Sequence, residues 1–150
     1  MRLLTIILTI LWQSTFGQVG QSVSVDKQDV LTYSIDSLIH KLEKERRIER
    51  IIVKCDSISF NRLTKTIQNR EVVRYQENRK GKAKDIRTGD ILVKVSGPAQ
   101  IENQIQLLIV TLGKRGKGIG FIEGGGYKFF YNHFSGSYYK LARIEIGIVL

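Results

Sequence analysis

The chain has 150 residues, a formal net charge of +10 and one cysteine. This length suits one domain with a sizeable core, while one cysteine excludes an internal disulfide and any zinc site built on cysteine pairs. The excess of lysine and arginine favours encounters with anionic partners, such as lipid head groups, acidic glycans or nucleic acid, without selecting one of them.

The N-terminal residues have the layout of a secretory signal peptide. A basic residue precedes the mostly apolar residues 3–12, and the small residues Thr15 and Gly17 suit the positions just before a signal peptidase cut. The apolar run is shorter than the roughly 20 residues that a membrane-spanning helix needs. We predict that residues 1–17 are cleaved and that residues 18–150 form a single exported domain, soluble in the periplasm or outside the cell.

The first predicted element of this domain is an amphipathic helix over residues 29–47. Apolar residues recur there at helical spacing, with polar residues on the opposite side. Asp29 or Ser34 can cap its start, and the cations near Arg47 suit a helix C-terminus. The apolar positions are Leu31, Ile35, Leu38, Ile39 and Leu42.

After the helix the pattern changes to alternation, which predicts a strand. Ile51, Val53 and Cys55 fall on one face of it. We therefore interpret Cys55 as a small buried hydrophobe, with a reactive thiol as the alternative. Ile58 and Phe60 alternate too, but out of phase with that face, which predicts a bulge or turn before them.

The middle of the chain permits two interpretations. Residues 62–76 form either a hairpin that turns at Gln68 and Asn69 or a short helix. The polar and basic residues 77–90 that follow are typical of a long exposed loop.

From Asp90 onward, apolar runs separated by turn residues predict an antiparallel meander. Pro98 and the glycines of residues 124–126 lie in the predicted turns. The runs are ILVKV, QIQLLIVTL, GIGFIE, YKFFYNHF and YYKLARIEIGIVL, and the separators are SGPAQ, GKRGKG, GGG and SGS.

These elements predict an α+β domain, in which one N-terminal amphipathic helix packs on a curved antiparallel sheet. The sheet is a meander of about six strands, a common size for sheets. In outline this is similar to the cystatin-like and NTF2-like layouts, in which a helix lies in a curved sheet. That similarity is architectural and implies no functional residue.

The glycine-rich residues 113–126 do not match a nucleotide-binding loop. Gly113 and Gly118 have the separation of a P-loop, but Ile119 stands where the lysine is required. The dinucleotide-binding fingerprint fails as well, because no helical pattern follows these glycines. We interpret them as turn residues and expect no cofactor.

Two basic loops, residues 79–87 and 113–118, form the predicted anion-binding surface. If they meet at one end of the sheet, they make a rim that suits a polyanion or an anionic surface. The alternative is that the cations are only solvated. Nucleic acid suits the rim less well, since export and the lack of a recognition motif argue against it. The cations are Arg79, Lys80, Lys82, Lys84, Lys114, Arg115 and Lys117.

The C-terminal hairpin carries the predicted ligand site. A two-residue turn at Ser135 and Gly136 places its polar aromatic residues on the core face of the sheet, towards the turn. Such a surface suits a small ligand, and a basic group beside it favours an anionic one. Simple cross-strand packing is the alternative. The predicted ligand-binding residues are Tyr131, His133, Tyr138 and Lys140.

The function that we expect is a non-catalytic exported binding or accessory domain of unknown ligand or protein partner. The alternatives are an electrostatic binder of polyanions through the basic loops and a small enzyme using His133 with a carboxylate. His40 lies on the polar helix face, and neither histidine has a partner at metal-binding spacing. Glu123 and Glu145 suit an acid and base pair, but carboxylates among cations are more often salt-bridge partners. No catalytic or metal-binding residue is assigned.

Overall fold

A computed structural model describes residues 23–80, 86–115 and 118–147, without the side chains of Arg115 and residues 120–124. The predicted signal peptide lies outside these residues. The described chain forms one mixed sheet of eight strands with two helices. The helices are α1 (Val30–Leu42) and α2 (Ser57–Arg62), and the strands are β1 (Ser24–Asp26), β2 (Arg50–Lys54), β3 (Thr66–Ile67), β4 (Arg70–Arg74), β5 (Asp90–Ile101), β6 (Gln104–Arg115), β7 (Gly118–Ser135) and β8 (Tyr138–Gly147).

The sheet topology corrects the predicted fold. The strand order is β1-β8-β7-β6-β5-β2-β4-β3, and β2 lies parallel to both of its neighbours, β4 and β5. The expected six-strand meander is therefore wrong, as is the likeness to the cystatin-like and NTF2-like layouts that rested on it. Ile51, Ile52 and Val53 are all buried, and a strand that is apolar on both faces belongs inside a sheet with cover on each side.

Helix α1 lies where the sequence predicts it. Its predicted apolar face is buried in the larger cluster of buried residues, which includes Ile35, Ile51 and Phe129 and which we call the main core. It ends at Leu42 rather than near Arg47, and the backbone N–H groups of residues 45 and 46 both bond to the Leu42 carbonyl oxygen. Asp29 occupies the N-cap position, but its side chain makes no capping hydrogen bond. Ser34 lies inside the helix, so it is not a cap.

Ile58 and Phe60, which alternate with polar residues in the sequence, do not form a strand. These residues belong to α2, whose N-cap is Asp56. The Asp56 carboxylate accepts hydrogen bonds from the Ser59 backbone N–H at 2.9 Å and from the Ser59 hydroxyl at 2.6 Å. This local cap favours a helix over an extended chain. Phe60 packs against the main core, while Ile58 remains exposed.

The segment after α2 forms the hairpin β3–β4, one of the two interpretations of residues 62–76. Its turn residues Gln68 and Asn69 have φ angles of 50° and 61°, as a tight two-residue hairpin requires. Tyr75, just after this hairpin, and Ile86 both pack against a second, smaller cluster around Leu92. Residues 81–85 of the predicted loop lie outside the described residues.

Two predicted turns are irregularities inside strands. The GGG segment lies within β7, which is one strand of 18 residues, and the β6–β7 register shifts between Val110 and Leu112. The SGPAQ segment lies within β5, which has a register shift between Ser96 and Ala99. Gly97 in that shift has a φ of 100°, and a Cβ there would lie 3.0 Å from the Gln106 carbonyl oxygen. The glycines thus bend strands instead of reversing the chain.

Candidate functional site

Tyr131, which the sequence predicts as a ligand contact, is a core residue. Its side chain is fully buried and its hydroxyl lies 2.6 Å from the Ser34 hydroxyl. Ser34 already donates its hydrogen to the Val30 carbonyl oxygen at 2.8 Å. Since a hydroxyl has one hydrogen to donate, Tyr131 is the donor of the shared bond. Burial raises the pKa of Tyr131, so this hydroxyl stays protonated.

The register of the C-terminal hairpin differs from the predicted one. Ser135 pairs with Tyr138 and the turn consists of Gly136 and Ser137, with a register shift near the tip. A slip of one residue exchanges the two faces of a strand. Tyr139 therefore lies in the main core, and the predicted site residues Tyr138 and Lys140 lie on the other side of β8.

The remaining predicted ligand residues do not form one site. His133 is exposed, its ring lies edge-on to that of Tyr139 at 5.4 Å, and its Nε2 is 3.0 Å from the Gly136 carbonyl oxygen. The Lys140 ammonium lies 3.7 Å from the centre of the Phe134 ring. Tyr138 lines a cavity.

This cavity, which we call the tyrosine–aspartate groove, lies between the N-terminal strand, the first half of α1 and the C-terminal hairpin. Its volume is about 430 Å³, within the range of small-molecule pockets. Its described lining residues are Val23, Ser24, Val25, Asp26, Asp29, Thr32, Tyr33, Asp36 and Tyr138.

The local fold explains how these residues come together. β1 pairs antiparallel with β8, which sets Asp26 opposite Tyr138. The chain then turns, with the Asp29 N–H donating to the Asp26 carbonyl oxygen at 2.8 Å, and enters α1. Asp29, Tyr33 and Asp36 follow at spacings of four and three residues, so they lie along one side of the helix. Sequence reasoning missed this group, although the spacing was visible.

The groove is lined by three carboxylates, those of Asp26, Asp29 and Asp36, in a strongly basic chain. Asp26 accepts hydrogen bonds from the Ser137 hydroxyl at 2.5 Å and from the Gln28 backbone N–H at 2.9 Å. These bonds lower the pKa of Asp26 below its usual value, so it is ionised at neutral pH. Asp36 accepts from the Gln68 side-chain amide at 3.0 Å. No lysine or arginine is among the described lining residues, so the groove suits a cation rather than the anion expected from the sequence.

The predicted anion-binding rim stays a prediction. Arg79, Lys80 and Lys114 are exposed. Lys82, Lys84 and Lys117 lie outside the described residues, as does the side chain of Arg115.

The candidate catalytic residues whose side chains are described lie in separate environments. His40 is exposed on α1, and Glu145 forms an ion pair with Arg143 at 2.9 Å. Glu123 has no described side chain. Cys55 is half-buried against the main core, and burial raises the pKa of its thiol, in agreement with a packing role. Within the described part of the chain, no group of three histidine, cysteine or acidic residues is placed to hold a metal.

Comparisons with known proteins give no family for this chain. No helix in the described ranges is long and apolar enough to cross a membrane. A scan against protein-family models, a search of curated proteins and a search of solved structures each returned no match.

Proposed function

We propose that this chain is an exported, non-catalytic binding domain that holds a small organic cation in the tyrosine–aspartate groove. One observation carries the proposal: three carboxylates and two tyrosines line a cavity of about 430 Å³ in a chain whose formal net charge is +10. Such a local reversal of charge attracts cations to the groove.

The lining suggests the chemistry of the ligand. An ammonium or guanidinium group can pair with Asp26 or Asp29 through charge-assisted hydrogen bonds. The ring of Tyr138, which is 48% exposed, can take a cation over its face. The exposed Val23 adds apolar surface for the body of the ligand. A guanidinium or polyamine compound with a short carbon chain matches this combination.

Calorimetric titration of the chain from Gln18 onward tests the proposal. The probes are argininamide and spermidine, and citrullinamide is the neutral counterpart of argininamide. We expect the cationic probes to bind and citrullinamide to fail. The variants Asp29→Asn and Tyr138→Ala should each weaken binding at least about threefold, the magnitude of one exposed cation–π or ion-pair contact.

Matched variants away from the groove serve as controls. Glu145→Gln removes one exposed carboxylate, and Phe134→Ala removes a ring that is 55% exposed on the same hairpin. Both should leave the affinity for argininamide unchanged. Equal binding of argininamide and citrullinamide, or equal losses in groove and control variants, would show that the groove is not a cation site.

A further inference from the structure

The side of β6–β8 opposite α1, which we call the outer face, presents rows of polar and basic residues. Both helices pack against the main core on the other side of the sheet, and no other helix is present among the described residues. The strand register aligns three rows across the outer face: Gln104, Asn132 and Lys140; Gln106, Phe130 and Arg143; Leu108, Lys128 and Glu145.

Aromatic rings hold the cations of the outer face in position. The Lys128 ammonium lies 5.0 Å and the Arg143 guanidinium 3.7 Å from the centre of the Phe130 ring. Phe130 is buried beneath them at 3% exposure. A ring fixes a cation without neutralising it, and Glu145 offsets one of the three positive charges that Lys128, Lys140 and Arg143 bring. The outer face is therefore positively charged.

A ladder of amide side chains runs beside these cations. The Gln104 amide nitrogen donates to the Asn132 amide oxygen at 2.9 Å, and the Gln106 amide nitrogen donates to the Gln104 amide oxygen at 3.1 Å. The ladder ends in the amide nitrogen of Asn132 and the amide oxygen of Gln106. A donor and an acceptor held in this way suit hydroxyl groups of a ligand.

We infer that the outer face is a docking surface for an acidic polysaccharide. A chain of sugars offers carboxylates to the cations and hydroxyls to the amides. The outer face is less suited to lipid, because Phe130 is buried, Leu108 is half-buried and the Lys140 ammonium lies 3.7 Å over the exposed Phe134 ring, which leaves little apolar surface for insertion. It also suits single-stranded nucleic acid less well, because Phe130 is too buried to stack on bases and the Lys140 ammonium covers one face of the Phe134 ring. The outer face borders the tyrosine–aspartate groove at Lys140, which pairs with the lining residue Ser24.

Binding to polygalacturonate in a salt series tests the inference, with neutral dextran as the comparison polymer. The variant Lys128→Gln/Lys140→Gln/Arg143→Gln should lose about tenfold in affinity for polygalacturonate, because it removes the contacts that release counterions. The control Lys44→Gln/Arg47→Gln/Arg62→Gln removes the same charge from exposed positions on or next to the helices. It should change the affinity by less than about twofold. Equal losses in the two variants would overturn the docking surface.

A second variant covers the case in which loss of the cations disturbs Phe130. Gln104→Ala/Asn132→Ala keeps the charge and removes the amide ladder. We expect it to lower the affinity for polygalacturonate about threefold, which is the contribution of one exposed hydrogen bond. Unchanged affinity in this variant would overturn the assignment to a polysaccharide. Tighter binding to phosphatidylcholine vesicles containing phosphatidylglycerol than to polygalacturonate would overturn it in favour of a lipid surface.

Discussion

Tyr131 illustrates how a polar atom is accommodated in the main core. Its ring stacks beside Phe129 at a centroid distance of 6.5 Å and meets the edge of Tyr33 at 6.4 Å. The hydroxyl reaches Ser34 on α1, 97 residues away in the sequence. The bond therefore ties the helix to the sheet at one defined position, which apolar contacts alone do not specify.

The variant Tyr131→Phe should lower the free energy of unfolding by about 1 kcal/mol at neutral pH, because it removes one buried hydrogen bond. In the wild type, burial raises the pKa of Tyr131 above that of the unfolded chain. Its contribution is therefore complete below about pH 10 and is lost as the pH rises further. Urea unfolding between pH 7 and pH 11 measures this difference. The free energy of unfolding of Tyr131→Phe should fall less between these pH values than that of the wild type.

Ser34→Ala provides the matched comparison for that prediction. It leaves the Tyr131 hydroxyl buried without its acceptor, whereas Tyr131→Phe leaves Ser34 bonded to Val30. We expect Ser34→Ala to cost more, about 1 to 3 kcal/mol. The opposite order of the two losses would contradict the assignment of Tyr131 as donor.

Single residues also show why the candidate site was only partly predictable. Tyr131 and Tyr138 are both tyrosines on the same hairpin. Tyr131 is buried, whereas Tyr138 lines the groove. Which one faces the core depends on a register shift near the hairpin tip. That shift comes from pairing geometry, which the alternation of residue types does not encode.

At the scale of elements, the two helices begin differently. Asp56 caps α2 through two hydrogen bonds with Ser59, while Asp29 at the start of α1 makes no side-chain cap. Helix α1 is longer and has seven buried residues, whereas none is buried in α2. The short helix therefore depends on its cap, and the long helix depends on its packing.

The variant Asp56→Ala should consequently lower the thermal midpoint by roughly 2 to 4 °C, whereas Asp29→Ala should leave it nearly unchanged. The bonds to Ser59 lower the pKa of Asp56. Its stabilising effect is thus present above the pKa of the unfolded chain, near 4, and disappears as the pH falls below it. Calorimetric scans at pH 7 and pH 3 measure both effects, and equal shifts in the two variants at pH 7 would contradict the difference in capping.

Elements with a clear local pattern were predicted from the sequence, and long-range pairings were not. The apolar spacing of α1 and the alternation of Ile51, Val53 and Cys55 correspond to buried faces in the structure. The position of β2 between β4 and β5 has no local signature, because parallel partners are chosen by distant residues. Likewise, the sequence does not distinguish a glycine inside a bent strand, such as Gly97, from a glycine that ends a strand.

At the scale of the whole molecule, charge is unevenly distributed. The outer face carries Lys128, Lys140 and Arg143 around aromatic rings, while three carboxylates line the groove. A basic surface and an acidic groove on one domain permit two oppositely charged ligands to bind together. Because the two surfaces differ in charge, the net charge of the chain does not indicate which ligand either surface binds.

Retention on an immobilised polyanion should fall steeply between about 50 and 200 mM salt, because binding through several cations releases counterions. The variant Lys80→Ser/Lys82→Ser/Lys84→Ser tests the predicted basic rim. If the rim binds the polyanion, this variant elutes earlier and with a shallower salt dependence than the wild type. An unchanged salt dependence would contradict the rim, and the outer-face variants would then be compared on the same column.

The pairing of β1 with β8 joins the first and last described strands of the sheet. During synthesis from the N-terminus, residues 24–26 have no partner until residues 138–140 have emerged. β2 likewise waits for β4 and β5. Because local contacts cannot complete this sheet, we expect folding to begin only after most of the chain is available and to be slow for its length. In a chain that is predicted to be exported, such a delay keeps the polypeptide unfolded for longer after synthesis, which suits transport across a membrane in the unfolded state.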